Sequence, residues 1–236
     1  MDSSLIITGA AGALGSALVR HFHSRGHRVA ALDIPAVGVR LTALATELGG
    51  AILGLPTDVT SASDWRAALS RIEAELGAPR GAVLVAGGYQ GGIPLHAEPD
   101  DTTWRAMMTM NLETAHQSLR ALLPGMVRRG AGSVVVLGSR AATLPWTSAD
   151  ASAYAASKAA VVALAQAVAA EVLAHGVRVN AVLPSVIDTP ANRKAMPSAD
   201  PTCWVATESL ARVIAFLLST DSNDVSGAAI PVYGRA

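Results

Sequence analysis

The sequence predicts an α/β protein with a single doubly wound parallel sheet, Rossmann-like, and helices on both faces. Short, continuously apolar runs alternate with longer helical patterns along the 236 residues, as in parallel sheets covered on both faces. Hydrophobic residues make up 51% of the chain and charged residues 15%, which is enough for a large core. Because no linker, repeat or shift in composition divides the chain, residues 1–236 are expected to form one domain.

Each predicted strand is followed by a predicted helix, apart from the last. Strands are expected where apolar runs of strand length occur, at 5–8, 27–33, 51–55, 82–87, 133–138, 177–184 and 228–232. Helices are expected between them, at 13–25, near 41–48, from 61 to about 76, from about 101 to 129, around SAYAASKAAVVALA at 152–165, and at 208–218. Ser61 with Asp64 resembles a capping box, which opens the third of these helices.

Composition excludes several classes of function. The formal net charge is +0 and no basic stripe occurs, so neither nucleic acid nor an anionic membrane surface is an expected partner. The single cysteine, Cys203, excludes a disulfide framework and favours a reducing cytoplasm. The six histidines show no ligand spacing beyond the pair at 21 and 23, so no metal is predicted. The apolar stretch 155–174 is interrupted by charged and amide side chains, which favours a buried helix over a membrane span.

Candidate binding residues lie where strands end, which is the ligand edge of doubly wound sheets. TGAAGALG at 8–15 suits a pyrophosphate on a helix N-terminus, although alone it also fits an ordinary tight turn. Asp33 closes the second strand, where an acid accepts hydrogen bonds from adenosine ribose hydroxyls and repels a 2′-phosphate. No Arg or Lys follows it directly, which favours NAD(H) over NADP(H). Asp58 fits either an adenine contact or a helix cap.

Tyr154 and Lys158 are four residues apart and therefore share a helix face. An ammonium about 5 Å from the phenol would contribute about 3 kcal/mol at an effective dielectric near 20. That corresponds to about two pKa units, so the pair is expected to lower the pKa of Tyr154 from its usual value near 10. The alternative is a pair with no chemical role at a helix edge. Ser139, just past the fifth strand, is either a partner for a substrate oxygen or an ordinary strand-end serine.

In this order, the pieces resemble the short-chain dehydrogenase/reductase family from Leu5 to Gly234. The matching stretches are TGAAGALG, Asp33, DV at 58–59, MNL at 110–112, GS at 138–139, YAASK at 154–158 and RVNAVLPSVIDTP at 178–190. The resemblance implies a catalytic tetrad of Asn111, Ser139, Tyr154 and Lys158. Tyr154 would be the acid/base, Ser139 would orient the substrate oxygen, Lys158 would also bind the nicotinamide ribose, and Asn111 would hold a proton-relay water. The implied cofactor contacts are Gly9, Gly12, Leu14, Gly15, Asp33, Asp58, Val59, Ala86, Gly87, Tyr154, Lys158, Pro184, Ile187 and Thr189.

The chain also departs from the family pattern. LVAG at 84–87 replaces the usual NNAG, so a side-chain brace on the sheet is missing. Ser185 replaces the glycine of a Pro-Gly pair. The spacing of Ser139 and Tyr154 is about two residues greater than usual, which predicts an enlarged loop at 143–150.

The predicted function is NAD(H)-dependent hydride transfer to or from a carbonyl or alcohol of a small cyclic substrate. Tyr89, Trp146 and Trp204 could line its pocket or could simply pack. Local similarity of 85–92 and 188–204 to quinonoid dihydropteridine reductase keeps an NADH-dependent pterin reductase as an alternative. A non-catalytic dinucleotide sensor is the second alternative. The Ala/Val-rich face after Lys158 and the family resemblance imply a homo-oligomer, either a tetramer or a dimer.

Overall fold

The computed structural model describes residues 4–235 and contains one seven-stranded parallel sheet in the order β3-β2-β1-β4-β5-β6-β7. The strands are β1 (Ser4–Thr8), β2 (Arg28–Asp33), β3 (Ile52–Pro56), β4 (Pro79–Leu84), β5 (Gly132–Leu137), β6 (Val177–Pro184) and β7 (Ala229–Val232). The helices are α1 (Ala13–His23), α2 (Gly38–Leu48), α3 (Ala62–Leu76), α4 (Thr102–Met107), α5 (Thr114–Arg129), α6 (Ser152–Val172), α7 (Pro190–Ala195) and α8 (Thr207–Leu218). The predicted α/β fold class is confirmed.

The core consists of two apolar layers, one on each face of the sheet. Successive side chains of a strand point to opposite faces, and Ile6 and Ile7 of β1 accordingly belong to different clusters of buried residues. One cluster includes buried residues of α3, α5 and α6, and the other includes those of α1 and α8. This arrangement explains why the central strands β1, β5 and β6 are mostly apolar, since most of their side chains are buried on both faces.

The strand order reverses at β1, which pairs with β2 on one side and β4 on the other. The carboxyl ends of β1 and β4 therefore lie side by side, and the chain leaves them in opposite directions. A crevice opens at such a reversal, and this is where open α/β sheets bind ligands.

The fourth strand ends earlier than the sequence predicts, at Leu84 instead of 87. The reason is a side chain on the neighbouring strand. The Thr8 hydroxyl accepts hydrogen bonds from the main-chain N–H groups of Val85 and Ala86, each at 3.1 Å. Thr8 thus braces the end of β4 from the neighbouring strand, where LVAG supplies no polar side chain of its own.

The long helix predicted from about 101 to 129 is not continuous. A π-helical segment, Met108–Glu113, separates α4 from α5. A π-helical turn holds an extra residue, and such turns occur frequently at functional sites. Asn111 lies within this segment, so the interruption determines where its side chain points.

Helix α6 is the long apolar helix of the site. Together with the turn that follows, as Ser152–His175, it is the one helix within residues 4–235 that is long and apolar enough to cross a membrane, by length and composition only. It packs against β6, the π-helical segment and α5, and many of its side chains are buried in the core. The buried part of its apolar surface is accounted for by packing inside the protein, and several alanines of the helix remain exposed.

Candidate active site

The glycine loop between β1 and α1 allows a very close approach of helix to strand. Gly9 has a φ of +66°, a backbone conformation that residues with a side chain rarely adopt. A Cβ on Gly15 would lie 2.0 Å from the Gly9 carbonyl oxygen, which is too close for any other residue type. Gly12 is the N-cap of α1 and offers no side-chain cap to the first turn. The N–H groups of that turn are therefore left for a ligand, and an anion is the ligand that a helix N-terminus favours.

Two of the predicted cofactor residues can contribute only through their main chains. The side chain of Leu14 is buried in the core under α1, and that of Val59 is buried in the core on the opposite face. The Val59 carbonyl oxygen accepts a hydrogen bond from Trp65 Nε1 at 3.0 Å, which fixes the chain at this point. Only the N–H of each residue remains for a ligand.

Asp33 connects the ends of β1 and β2. One carboxylate oxygen accepts a hydrogen bond from the Ala11 N–H at 2.9 Å, and the other accepts from the Ile34 N–H at 2.8 Å. Each oxygen can accept a second hydrogen bond, so the carboxylate can hold the glycine loop and still receive ribose hydroxyls. The loop and the acid therefore form one unit.

Asp58 does not cap α3, so the helix-cap interpretation of this residue is wrong. The adenine contact stays a prediction. Its Oδ1 accepts hydrogen bonds from the N–H and the hydroxyl of Thr60, at 2.9 and 2.7 Å. The N-cap of α3 is Ser61, whose hydroxyl accepts from the Asp64 N–H. Asp58 Oδ2 takes no part in these bonds, so it is the atom that an adenine amino group could meet.

Ser139 and Tyr154 are brought together despite the longer spacing between them. Ser139 lies just beyond β5, after Gly138, and is buried, while Tyr154 lies in the first turn of α6. Burial raises the pKa of Tyr154 above its ordinary value of 10.0, and the hydrogen-bonding Ser139 hydroxyl lowers it by less. Tyr154 is consequently a neutral phenol near pH 7.

Lys158 corrects the electrostatic expectation drawn from the sequence. The side chain is only 5% exposed, and Nζ donates a hydrogen bond to the Leu137 carbonyl oxygen at 2.9 Å. Burial lowers the pKa of Lys158 from 10.5 to about 8. The expectation that the pair lowers the pKa of Tyr154 is wrong for this structure, because burial of the phenol outweighs the other influences on it and the ammonium is directed at the end of β5.

Asn111 braces the loop after β4 with its side chain. Its Oδ1 accepts from the Gly88 N–H at 3.0 Å, and Nδ2 donates to the Gly88 carbonyl oxygen at 3.1 Å and to Ser157 Oγ at 3.0 Å. Ser157 in turn donates to the Tyr154 carbonyl oxygen at 2.8 Å. The sequence interpretation missed Ser157, although its place inside YAASK and its polarity within an apolar helix were available signals.

A small polar niche lies between Asn111 and Lys158. A Cβ placed on Gly87 would lie 2.6 Å from Asn111 Oδ1 and 3.5 Å from Lys158 Nζ. Both polar atoms therefore face the same space, which stays open because Gly87 has no side chain. Ala86, beside it, has its main chain next to Gly9, so this niche adjoins the glycine loop.

The three aromatic residues predicted to line a pocket are placed differently. Tyr89 packs edge-to-face on Tyr154, with ring centroids 4.9 Å apart, and is 63% exposed. Trp204 is half-buried just after a short 3₁₀ turn. Trp146 is 96% exposed and lies on the short 3₁₀ turn Pro145–Thr147. A role for Trp146 in a substrate pocket stays a prediction.

The segment after β6 is folded back onto the chain at 205. Pro184 ends the strand, Ile187 pairs with Val205 in a single bridge, and the Thr189 hydroxyl caps α7 by accepting from the Asn192 N–H. These three predicted contacts for the nicotinamide end therefore lie on one continuous stretch beyond the carboxyl edge of the sheet. Within residues 4–235, no group of three His, Cys, Asp or Glu side chains gathers in a way that could hold a metal ion.

Comparison with known proteins agrees with this geometry. The family model described as short chain dehydrogenase matches residues 3–200. Galactitol 2-dehydrogenase (L-tagatose-forming) of Cereibacter sphaeroides is 39% identical over 186 residues, covering 78% of this chain and 70% of that protein. Cis-4-hydroxycyclohexanecarboxylate dehydrogenase of Sinomonas cyclohexanicum is 32% identical over 97% of this chain and 94% of that protein.

Solved structures show the same fold. A short-chain type dehydrogenase/reductase from Mycobacterium ulcerans superimposes with a TM-score of 0.89 at 30% identity, covering 100% of this chain and 90% of that one. The family match, the relatives and the assembled Ser139, Tyr154 and Lys158 lead to one conclusion. The chain belongs to the short-chain dehydrogenase/reductase family, whose members are oxidoreductases that use nicotinamide cofactors.

Proposed function

We propose that this chain is an NAD(H)-dependent oxidoreductase that interconverts an alcohol and a carbonyl group on a small cyclic substrate. In this proposal the whole chain forms one dinucleotide-binding domain. The observation that carries the proposal is the convergence of a buried ammonium, a buried serine and a phenol at the end of β5. A helix that packs in a core has no need of a buried charge, and buried, perturbed ionisable groups concentrate at functional sites.

The fit of a dinucleotide rests on the cradle beside this group. The uncapped N-terminus of α1 suits a pyrophosphate, and the glycines at 9 and 15 leave no room for side chains that would fill the cradle. Asp33 lies at the end of the adjoining strand β2, and each of its carboxylate oxygens can accept a further hydrogen bond. A bound nicotinamide would supply or accept the hydride.

The preference for NAD(H) over NADP(H) follows from the charge of Asp33. A carboxylate that receives ribose hydroxyls repels a 2′-phosphate, and the residues directly after it, Ile34 and Pro35, supply no cation. Asp33 also holds Ala11 in place, so its negative charge sits at a fixed position rather than on a mobile side chain.

The protein's own groups then move the proton. In the reduction direction Tyr154, a neutral phenol near pH 7, donates its proton to the substrate oxygen as the carbonyl carbon gains the hydride. In the oxidation direction the phenolate form accepts that proton. Ser139 orients the substrate oxygen, and the Lys158 ammonium stabilises negative charge that develops nearby. Asn111 and Ser157 hold the first turn of α6 and the loop after β4 in register.

A small cyclic alcohol or ketone is the proposed substrate class. Tyr89 offers an aromatic wall directly beside the Tyr154 ring, and a flat or cyclic guest can stack on such a wall. The relatives named above act on a sugar alcohol and on a cyclohexane alcohol. Both names describe secondary alcohols carried by small polar molecules.

The proposal includes a homo-oligomer, a tetramer or a dimer, in the cytoplasm. Support comes from an exposed groove between the π-helical segment, α5 and α6, lined by Met108, Leu112, His116 and Leu164 among others. The groove presents apolar side chains next to the small-residue face of α6, which allows a second helix to approach closely. Sedimentation at several protein concentrations tests this part.

A binding titration with NADH and NADPH, followed by turnover on cyclic alcohols, ketones and a quinonoid dihydropterin, tests the proposal. NADH is expected to bind more tightly than NADPH, and Tyr154→Phe is expected to lose turnover by a factor of about 100 or more while keeping NADH affinity. Turnover restricted to the dihydropterin would favour the pterin reductase instead. Tight NADH binding with no turnover on any substrate would favour the non-catalytic sensor.

A further inference from the structure

We propose that Tyr233 is a positioning residue of this active site. It ties the substrate loop, defined as residues 143–150, to the segment Pro184–Thr189, so that dinucleotide binding at the segment steadies the loop. The proposal rests on the proposed function, because it assigns the segment to the nicotinamide end of the cofactor.

The first tie is a hydrogen bond between side chains. Tyr233 Oη lies 2.7 Å from Thr143 Oγ1, across ninety positions of sequence. The Thr143 hydroxyl also lies 3.2 Å from the Arg140 carbonyl oxygen, to which it can donate its one proton. Either hydroxyl can be the donor in the pair of Tyr233 and Thr143, and in both cases the bond joins the loop to the tail of the chain.

The second tie involves the main chain of the same tyrosine. Ser185 Oγ donates to the Tyr233 carbonyl oxygen at 2.7 Å, and the Ser185 N–H donates to the Val232 carbonyl oxygen at 3.2 Å. Ser185 replaces the family's glycine, and the substrate loop is longer than usual. Tyr233 contacts both departures from the family pattern, which suggests that the three features work together.

Tyr233 is itself firmly anchored. Its side chain packs against the apolar cluster that includes α6, and the two residues after it lie on the chain near Trp204. The Arg235 N–H donates to the Cys203 carbonyl oxygen at 3.0 Å. The tail from 232 to 235 thus joins the end of the sheet, the base of the segment and the chain before α8.

The substrate loop has few other restraints. Within residues 4–235, two hydrogen bonds reach it from distant parts of the chain, the one from Tyr233 and one from the Gly92 N–H to the Asp150 carbonyl oxygen at 2.8 Å. The remaining bonds of the loop are local turns. Because the loop connects Ser139 to Tyr154, the restraint at Thr143 bears directly on how these two side chains face a substrate.

Hydrogen exchange measured by mass spectrometry on the full chain, with and without saturating NADH, tests the proposal. In the unmodified protein NADH is expected to slow exchange at 8–15 and at 143–150. In Tyr233→Phe, NADH is expected to protect 8–15 alone, and loop amides are expected to exchange about 5-fold faster, the factor for losing one net hydrogen bond. Thr143→Val is expected to match Tyr233→Phe, and the double variant is expected to add nothing further.

Thr147→Val is the matched control, since within residues 4–235 the Thr147 hydroxyl bonds only to the Leu144 carbonyl oxygen of its own loop. It is expected to leave loop protection by NADH unchanged. In kinetics, Tyr233→Phe is expected to raise KM for the alcohol about 5-fold with kcat nearly constant, which a general loss of stability would not produce.

Several results would overturn the proposal. These are loop protection by NADH that survives in Tyr233→Phe, additive effects in the double variant, and faster exchange spread over the whole chain. NADH binding that protects 8–15 but never 143–150 in the unmodified protein would also overturn it. Failure of the proposed function is recognised separately, by the absence of protection at 8–15 with both NADH and NADPH.

Discussion

Replacing Lys158 by methionine is expected to stabilise the protein while abolishing turnover. The ammonium is 5% exposed, and burial lowers its pKa from 10.5 to about 8. A shift of that size corresponds to about 3 kcal/mol of unfavourable free energy for the charged form in the folded protein. Methionine removes this penalty but leaves the Leu137 carbonyl oxygen without its donor, at a cost of about 1–2 kcal/mol. The net gain at pH 7 is therefore about 1–2 kcal/mol.

The pH dependence provides the sharper half of this prediction. Since the folded-state pKa of Lys158 lies below the unfolded value, the unfolded chain binds more protons between about pH 8 and 10.5, and the unmodified protein gains stability as the pH rises through that window. Below pH 8 the full penalty is present. Lys158→Met has no such group, so its advantage in free energy of unfolding is expected to shrink and then reverse between pH 8 and 10.

Urea unfolding at pH 7 and pH 9.5, at fixed protein concentration, measures both effects. Gln166→Met, a neutral change on the same helix, is the control and is expected to show no pH-dependent difference. A Lys158→Met protein that is less stable than the parent at pH 7 would refute the reasoning. So would a stability difference that stays constant with pH, because the penalty would then not come from a buried charge.

Three other predictions follow from the hydrogen bonds and pKa values. Arg178→Met removes a guanidinium that donates to four acceptors around the end of α8. It is expected to lower the free energy of unfolding in urea by about 2–4 kcal/mol, whereas Arg128→Met, at an exposed position, is expected to change it by nearly nothing. Ser61→Ala removes the N-cap of α3 and is expected to lower the free energy of unfolding by about 1 kcal/mol, whereas Ser63→Ala should lower it clearly less. Equal losses of stability in the two variants would contradict the capping role. Alcohol oxidation is expected to speed up from pH 7 to 9, since the raised pKa of Tyr154 keeps the accepting phenolate scarce at neutrality; a rate independent of pH would argue against this base.

The sequence predicts the sheet and its ligand edge well, because continuous apolar runs leave parallel strands as the main possibility. It places Ser139, Tyr154 and Lys158 together through spacing and family resemblance. It cannot place Thr8 as a brace for Val85 and Ala86, because that bond joins residues more than seventy positions apart. Hydroxyl groups at strand ends have many possible partners, and only the register of β1 against β4 selects one.

What the sequence could not predict concerns burial, loop conformation and one irregular helical turn. The Coulomb estimate for the Tyr154–Lys158 pair omitted the cost of burying each group, and that cost sets the direction of both pKa shifts. The exposure of Trp146 depends on how one loop turns, which composition does not encode. The π-helical segment was also missed, since an extra residue in one turn leaves the apolar pattern on each side intact.

That extra residue has a consequence for how the chain can change. An α-helix rotates by about 100° per residue, so the π-helical turn at Met108–Glu113 puts α5 out of phase with α4 by about that angle. Deleting one residue there would restore a continuous α-helix. It would also rotate the carboxamide of Asn111, or the whole of α5, about the helix axis to a different direction. Natural variation in this stretch should therefore be confined to exchanges that preserve its length.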